Sequence, residues 1–330
     1  MGIKHLNRFL REEAQQCIKF ISLAELSGKK IAVDISIYMY KYASEGTLLE
    51  NMYLMLSTMI YYNIIPVFIF DGKPPPEKKE LLQKRKEDKQ EAEKEYNQLK
   101  KQLENKTIDD VEKQEVITNM DILKKKFIHI SKGDIDSVKR LIRAYGATYY
   151  DAPGEADELC ASLVIKNKVW ACLSEDMDMF VYGCNRVLRY LSLLNKTVVL
   201  YDTKDILNSL GITQKELREI CVISGTDYNY NENKTDDDNS KKSPSLYKTL
   251  AYFKKYHKEN SVLGFYEWLR ENTDYIQDYE NLLNIYNLFE LNQEHTHLTI
   301  FENIKIINGP ILKEDIRNII KIEGFIFPES

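Results

Sequence analysis

Residues 67–76 read Val67-Phe68-Ile69-Phe70-Asp71-Gly72-Lys73-Pro74-Pro75-Pro76, an unbroken apolar run closed by a carboxylate, a glycine and a block of prolines. A short β-branched and aromatic run of this kind marks a strand buried on both faces, the form strands take in parallel sheets. The same arrangement recurs along the chain. Asp34 closes Ile31-Ala32-Val33, Glu155 and Asp157 sit just past Ala147-Thr148-Tyr149-Tyr150, and Asp176 and Asp178 follow Val169-Trp170-Ala171-Cys172-Leu173. Asp227 lies in a tight Gly225-Thr226-Asp227 turn after a helical stretch. With helical patterns between the runs, the sequence predicts an α/β fold with a mostly parallel central sheet flanked by helices. Open sheets of this type bind ligands at the carboxyl ends of their strands, so these acids should converge on one edge.

Carboxylates brought within a few ångströms of one another repel and raise each other's pKa, so such an edge needs a cationic partner. The sequence places no matching cluster of Lys or Arg at those strand ends, which makes a divalent ion the economical counter-charge. All-oxygen ligands select hard ions, Mg²⁺ or Mn²⁺, over zinc. Any one of these acids alone reads as a helix cap or turn former; the whole set does not.

At 330 residues and 43% hydrophobic content the chain can bury a large core. The strand–helix rhythm runs as far as Asp227, which predicts a catalytic unit over 1–228 and a helical extension over 229–330. Five cysteines with no C-x-x-C pair predict a reducing, intracellular setting rather than a disulfide scaffold or zinc site. Cys160 and Cys172 fall on apolar faces and read as core residues. The amino terminus lacks a secretory profile, and Leu6 stands where a myristoylation signal needs Ser or Thr. The uncharged run 52–70 is split by Ser57, Thr58, Asn63 and Pro66 into a helix and a strand, not a membrane span.

A net charge of −5 and a pI near 5.7 are not the bulk signature of a nucleic-acid binder. Part of that acid is already assigned to the metal edge, and basic residues are concentrated between Lys73 and Lys101, at Lys124-Lys125-Lys126, and at Lys139, Arg140 and Arg143. After the prolines comes a long charged helical pattern whose main apolar positions are Leu81, Leu82, Ala92, Tyr96, Leu99 and Leu103. So thin an apolar stripe predicts a helix that projects from the body. A Glu104-Asn105-Lys106 turn and a second pattern from about Thr107 to Phe127 would return the chain, forming a helical arch over about 73–127 beside the acid edge. Lys78 and Arg85 are seven residues apart and share a face of the first helix. A cationic arm hinged on a metal site suits a phosphodiester substrate.

Six strings carry a resemblance in order and spacing: Met1-Gly2-Ile3, Val33-Asp34-Ile35-Ser36, Phe70-Asp71-Gly72-Lys73-Pro74-Pro75, Ala152-Pro153-Gly154-Glu155-Ala156-Asp157, Ser174-Glu175-Asp176-Met177-Asp178 and Gly225-Thr226-Asp227-Tyr228. The chain resembles the flap endonuclease and xeroderma pigmentosum group G family of structure-specific 5′ nucleases over roughly residues 1–230. The resemblance implies a PIN-like 5′-nuclease fold and a phosphodiesterase using two Mg²⁺ ions, with Mn²⁺ able to substitute, on branched or flapped DNA in replication, repair or recombination. Carried over position by position, it implies metal ligation by Asp34, Asp71, Glu155, Asp157, Asp176, Asp178 and Asp227, catalytic contacts from Lys78 and Arg85, and DNA contacts from Gly2, Tyr40, Lys78 and Arg85.

The chain departs from the family pattern in three places. Asp157 stands where the family has Glu; on an ideal helix Glu155 and Glu158 would share a face, so the register favours Asp157 as the second ligand while Glu158 stays open. The glycine-containing hairpin that follows the last aspartate in the family is replaced by the Asn-, Asp-, Lys- and Ser-rich tract 229–245, which contains no glycine. That puts backbone grip on duplex phosphate, and K⁺ binding, in doubt; Lys241, Lys242, Lys248, Lys254 and Lys255 would have to hold phosphates by side chain. The end, Phe325-Ile326-Phe327-Pro328-Glu329-Ser330, holds no sliding-clamp peptide.

Other features read as structural. His295 and His297 are surface residues, Thr213 with Glu216 forms a capping box, and the Tyr-rich carboxyl third, including Tyr252, Tyr256, Tyr266, Trp268, Tyr275, Tyr279 and Tyr286, is core. A Holliday-junction resolvase, an RNA-directed exonuclease or a catalytically silent nucleic-acid-binding scaffold remain the alternatives. Heavy use of Lys, Asn, Ile and Tyr fits an AT-rich genome, with a nuclear location expected in a cellular eukaryote and a cytoplasmic replication site in a large DNA virus.

Overall fold

The structure is a computed structural model, and it describes residues 2–104, 110–228, 244–291, 296–301, 303–321 and 324. Most of the polar tract 229–245, with Lys241 and Lys242, the Asn105-Lys106 turn, His295, the side chain of His297 and the end 325–330 lie outside the described residues.

Among the described residues the strands are β1 (Ile18–Ser22), β2 (Lys30–Asp34), β3 (Ile65–Phe70), β4 (Thr148–Asp151), β5 (Ala171–Leu173), β6 (Arg186–Ser192) and β7 (Thr197–Asp202). The α-helices are α1 (Leu6–Glu13), α2 (Ile35–Ser44), α3 (Leu48–Tyr61), α4 (Lys79–Glu104), α5 (Asp110–Lys126), α6 (Lys132–Ala144), α7 (Ala156–Ile165), α8 (Asp178–Tyr182), α9 (Thr203–Leu210), α10 (Gln214–Ser224), α11 (Leu246–Glu259), α12 (Phe265–Asn272), α13 (Tyr279–Leu288) and α14 (Lys313–Lys321). The uncharged run 52–70 becomes part of α3 and then β3, and no helix among the described residues is long and apolar enough to cross a membrane.

The strands form one sheet in the order β1-β7-β6-β5-β2-β3-β4. Pairings from β6 through β5, β2 and β3 to β4 are parallel, while β6–β7 and β7–β1 are antiparallel. The parallel part is the one its apolar runs announce. In the antiparallel part, β7 carries such a run, Val198-Val199-Leu200-Tyr201, but β1 and β6 do not, because Lys19 and Phe20 in β1 and Tyr190 in β6 face solvent and Lys19 and Arg189 interrupt the apolar residues.

Side chains alternate across the parallel strands, as the two-residue period of a strand requires. Ala32, Val67, Ile69, Cys172 and Val187 enter one core, and Ile31, Val33, Phe68, Phe70, Leu173 and Leu188 the other. Tyr38, Met52, Met55, Leu141 and Ile320 from α2, α3, α6 and α14 cover the second face. Leu10, Leu159, Phe180 and Ile220 from α1, α7, α8 and α10 cover the first.

The helices after Ser245 continue the first core. Phe253, Phe265, Trp268, Ile285 and Phe289 are buried in the same cluster as Leu159 and Ile220, and Tyr266 and Tyr275 are buried with them. Beyond α13 the chain returns along the β4 side. Gly309 donates to the Gly146 carbonyl at 2.7 Å, Leu312 to that of Ala144 at 2.7 Å, and Thr148 Oγ1 to that of Ile307 at 3.1 Å. Gly146 has φ +71°, and a Cβ there would lie 2.4 Å from the Gly309 oxygen, so this crossing admits only glycine. An edge strand covered in this way offers no template to another chain.

The arch is an antiparallel pair, α4 and α5, rooted on the Pro76–Lys78 3₁₀ turn. Ala92 is buried in it, and the Tyr96 and Phe127 rings meet edge-on with centroids 5.3 Å apart. Leu82 is exposed, in keeping with a helix that projects.

Phe289 is fully buried just past α13, with ring centroids 4.9 Å from Tyr182 and 5.3 Å from Tyr228. Phe289→Ala should therefore destabilise the whole molecule by roughly 3–5 kcal/mol in one cooperative denaturant transition. Two separate transitions, with the sheet's unchanged, would show that the extension folds as a body of its own.

Candidate metal and phosphate site

The carboxyl ends of the parallel strands bring the acids together. Asp34 is the last residue of β2 and Asp71 the first after β3; Asp176 and Asp178 follow β5, and Glu155 and Asp157 follow β4. Asp227 comes from the turn after α10, held by Tyr228 N donating to Thr226 Oγ1 at 3.2 Å. Backbone and hydroxyl groups aim several of them. Ser174 Oγ donates to Asp34 at 2.9 Å and accepts from Asp176 N at 3.1 Å, and Asp176 in turn accepts from Asp178 N at 3.0 Å. Asp71 accepts from Ala156 N at 2.9 Å, next to a 2.7 Å bond from Gly72 N to the Gly154 carbonyl. Gly72 makes that approach possible, since a Cβ there would lie 2.0 Å from the Ala152 oxygen.

Glu155 and Asp157 both serve the cluster although they are two apart, because α7 begins at Ala156 and Glu155 is its extended N-cap residue (φ −82°, ψ 148°). The helical spacing rule does not span that junction. Asp157 is buried among Glu155, Lys78, Asp176 and Asp34. Glu158 lines a cavity with Pro75, Pro153, Gly154, Tyr182 and Leu288 that opens onto Glu155 and Tyr228 of the cluster.

Two arch cations already reach this edge. Lys78 Nζ lies 2.8–2.9 Å from both Glu155 oxygens and 4.5 Å from the centre of the Tyr228 ring, while Tyr228 OH donates to Glu155 at 2.7 Å. Lys78 ends the 3₁₀ turn instead of standing within α4, and its side chain is buried. Burial works against its charge, but Asp157, Glu155 and Asp178 outweigh it and hold the ammonium above its ordinary value. Arg85, two turns into the arch, donates to Asp227 at 2.8 Å from a half-exposed position.

Two cations do not balance seven carboxylates. Burial, then the charges of Asp71 and Asp176, pushes Asp34 up to about 8 despite the Ser174 hydrogen bond. Burial, then Glu155 in one case and Asp176 in the other, drives Asp157 and Asp178 well above the carboxyl range. Asp178 is 1% exposed, and among the described residues neither of its oxygens has a hydrogen-bond partner. A buried acid left in this state costs stability unless a cation meets it. The donor set is all oxygen and so fits Mg²⁺ or Mn²⁺. Among the described residues no three acid, His or Cys side chains are already closed into a ready-made ion cage.

The two remaining sequence candidates lie beside the cluster. Gly2 has φ +72°, and a Cβ on it would fall 2.4 Å from Asp178 Oδ1 and 2.6 Å from Asp176 Oδ1. Tyr40, on α2, is 46% exposed beneath the arch, with Lys89 Nζ 5.1 Å from its ring centre. Ser174 and Tyr228 were not singled out by sequence reasoning, although each stands inside a quoted motif next to its acid. Their roles need the fold, because their partners are 140 and 73 residues away.

The chain matches known proteins in sequence and in fold. Residues 1–92 match the XPG N-terminal domain and residues 146–227 the XPG I-region. The interval between them holds most of the arch. Flap endonuclease 1-A of Sorghum bicolor is 33% identical over 247 residues, which are 69% of this chain and 62% of that protein. The chain thus spans less than two thirds of the length of that relative, and 61% of flap endonuclease 1 of Lodderomyces elongisporus. The catalytic core of Rad2 in complex with DNA substrate superimposes with a TM-score of 0.63 at 23% identity, covering 98% of this chain and 95% of the other. The Holliday junction-resolving enzyme GEN1 in complex with product DNA and Mg²⁺ gives 0.59 at 17% identity, covering 97% and 73%. At these identities the structural likeness is one of fold.

A raised carboxyl favours the folded state while it stays protonated. For Asp34, Asp157 and Asp178 that stabilisation is complete below the unfolded value near 3.8 and is lost as pH climbs through the folded one, about 8 for Asp34. The melting temperature of the metal-free protein should therefore fall by several degrees between about pH 5 and 8. Mg²⁺ should raise it more at pH 8 than at pH 6, because binding displaces protons. A Mg²⁺ effect that is absent, or equal at both pH values, would contradict this account of the cluster.

Proposed function

Given that this chain belongs to the flap endonuclease and XPG family, we propose that it is a structure-specific 5′ nuclease that hydrolyses DNA phosphodiester bonds at flaps and related branches. The observation that carries the proposal is the single sheet edge on which carboxylates from four strand ends and one turn meet two cations of a projecting arch. An unused cluster of this charge would only weaken the fold.

Asp34, Asp71, Glu155, Asp157, Asp176, Asp178 and Asp227 would hold two Mg²⁺ ions, with Mn²⁺ able to replace them. Such ions supply a nucleophilic water and neutralise charge on the leaving oxygen. Lys78 and Arg85 would bind the scissile phosphate. In the free protein each is matched to a carboxylate, so phosphate takes over a partner already in place and the cations need not be ordered afresh. Gly2 brings the amino-terminal segment against Asp176 and Asp178, where it narrows the approach to the edge. Tyr40, beneath the arch, offers an aromatic face on which a base next to the cleaved bond can stack. Residues 1–228 would carry the chemistry, with the extension supporting α10 and the Asp227 turn. A DNA substrate places this work in the nucleus of a cellular eukaryote or at the replication site of a DNA virus.

The test is cleavage of end-labelled 5′ flap, nicked duplex, four-way junction, single-stranded DNA and RNA, in Mg²⁺ and in EDTA. Incision near the flap junction is expected only with Mg²⁺. Lys78→Ala and Arg85→Ala should each cost on the order of 10²-fold in rate. Asp178→Asn should abolish cleavage yet melt at or above the wild-type temperature in EDTA at pH 8, because it cannot ionise where burial and the neighbouring acids oppose a negative charge. Preference for the four-way junction or for RNA would reassign the substrate, and binding without cleavage of any of them would refute the nuclease reading.

A further inference from the structure

The loop that carries Asp176 and Asp178 is held from behind by a buried arginine that the chemistry above does not use. Arg189, in β6, is 5% exposed. It donates from Nη2 to the Glu175 carbonyl at 2.9 Å, and from Nη1 to Asn7 Oδ1 at 2.7 Å and to Met177 Sδ. Its Nε faces a Glu175 carboxylate oxygen at 3.5 Å without closing a hydrogen bond. The guanidinium therefore grips the residues on both sides of Asp176.

Its other partner, Asn7, stands in the first turn of α1. Asn7 Oδ1 also accepts from Tyr201 OH at 2.8 Å, and Asn7 Nδ2 donates to Tyr190 OH at 2.9 Å, so the amide ties α1 to both β6 and β7 through three hydrogen bonds. Tyr190 takes φ +56°, a rare conformation for a bulky residue, at the register break between Arg189 and Ser192. There its backbone N–H donates to Glu175 Oε1 at 2.6 Å. Strain of this kind persists only where surrounding contacts over-determine it. The segment from Gly2 to Asn7 thus touches Asp176 and Asp178 at one end and Arg189 at the other.

We infer that Asn7 and Arg189 are positioning residues that fix the amino-terminal segment and the Glu175–Asp178 loop as one unit, and so set the affinity of the acid edge for its metal ions. The inference rests on the reading of that edge as a metal site. Outer hydrogen bonds that orient ligating groups are worth about 10–100-fold in metal affinity. Asn7 is the better residue to change, since removing a buried arginine can unfold the chain.

The test measures Mn²⁺ binding directly, by electron paramagnetic resonance titration of wild type, Asn7→Ala and Asn7→Asp, beside melting curves in EDTA. Asn7→Ala should bind Mn²⁺ at least about tenfold more weakly while melting within a few degrees of wild type. Its cleavage rate should recover at saturating Mg²⁺. Asn7→Asp keeps an acceptor for Arg189 and Tyr201 and should regain most of the lost affinity. Unchanged Mn²⁺ affinity in folded Asn7→Ala would overturn the inference, as would a cleavage defect that no Mg²⁺ concentration relieves. Absence of Mn²⁺ binding by the wild type would instead overturn the metal-site reading beneath it, and this inference with it.

Discussion

Mutual repulsion among carboxylates is the constraint on which the arrangement of this molecule depends. A parallel sheet delivers the ends of β2, β3, β4 and β5 to one edge, and an acid stands at or just beyond each. Water cannot relieve the repulsion, because Asp34, Asp157 and Asp178 are buried. The arch relieves part of it by lowering Lys78 and Arg85 into the cluster, and that ties the arch to the start of α7 and to the turn after α10. The remaining imbalance is what makes the edge a receptor for further positive charge.

Much of this was legible in the sequence, for a definite reason. Strands buried on both faces cannot hide their identity, and an acid at the end of each needs only the direction of the strand to be placed. The α7 acids were harder. Counting along an ideal helix separates Glu155 from Asp157, but the helix starts between them, and backbone geometry at an N-cap is not written in spacing. Lys78 and Arg85 were assigned a shared face of one helix, yet Lys78 belongs to the turn before it, and the two reach different acids, Glu155 and Asp227.

What the sequence concealed is the antiparallel edge. Lys19 interrupts β1 and Arg189 interrupts β6, and although β6 and β7 pair as neighbours in the chain, β1 reaches β7 only across almost two hundred residues. Arg189 shows why such positions resist reading. In sequence it is one more basic residue among 46 Lys and Arg, and only in the fold does it stand behind the Asp176 loop. The extension is a similar case: its aromatic helices look like a second body but share their core with α7 and α10.

The position of Gly2 has a practical side. Its Cα lies so near Asp176 and Asp178 that even a methyl group would collide with their oxygens. Residues appended ahead of it by a cloning vector would begin at the mouth of the acid edge, and a polyhistidine tag there would bring a chelator to it. Recombinant protein with a scar or tag on that end would be altered beside the carboxylates proposed to hold metal. Residues added directly ahead of Gly2 are therefore the additions to avoid when this protein is prepared.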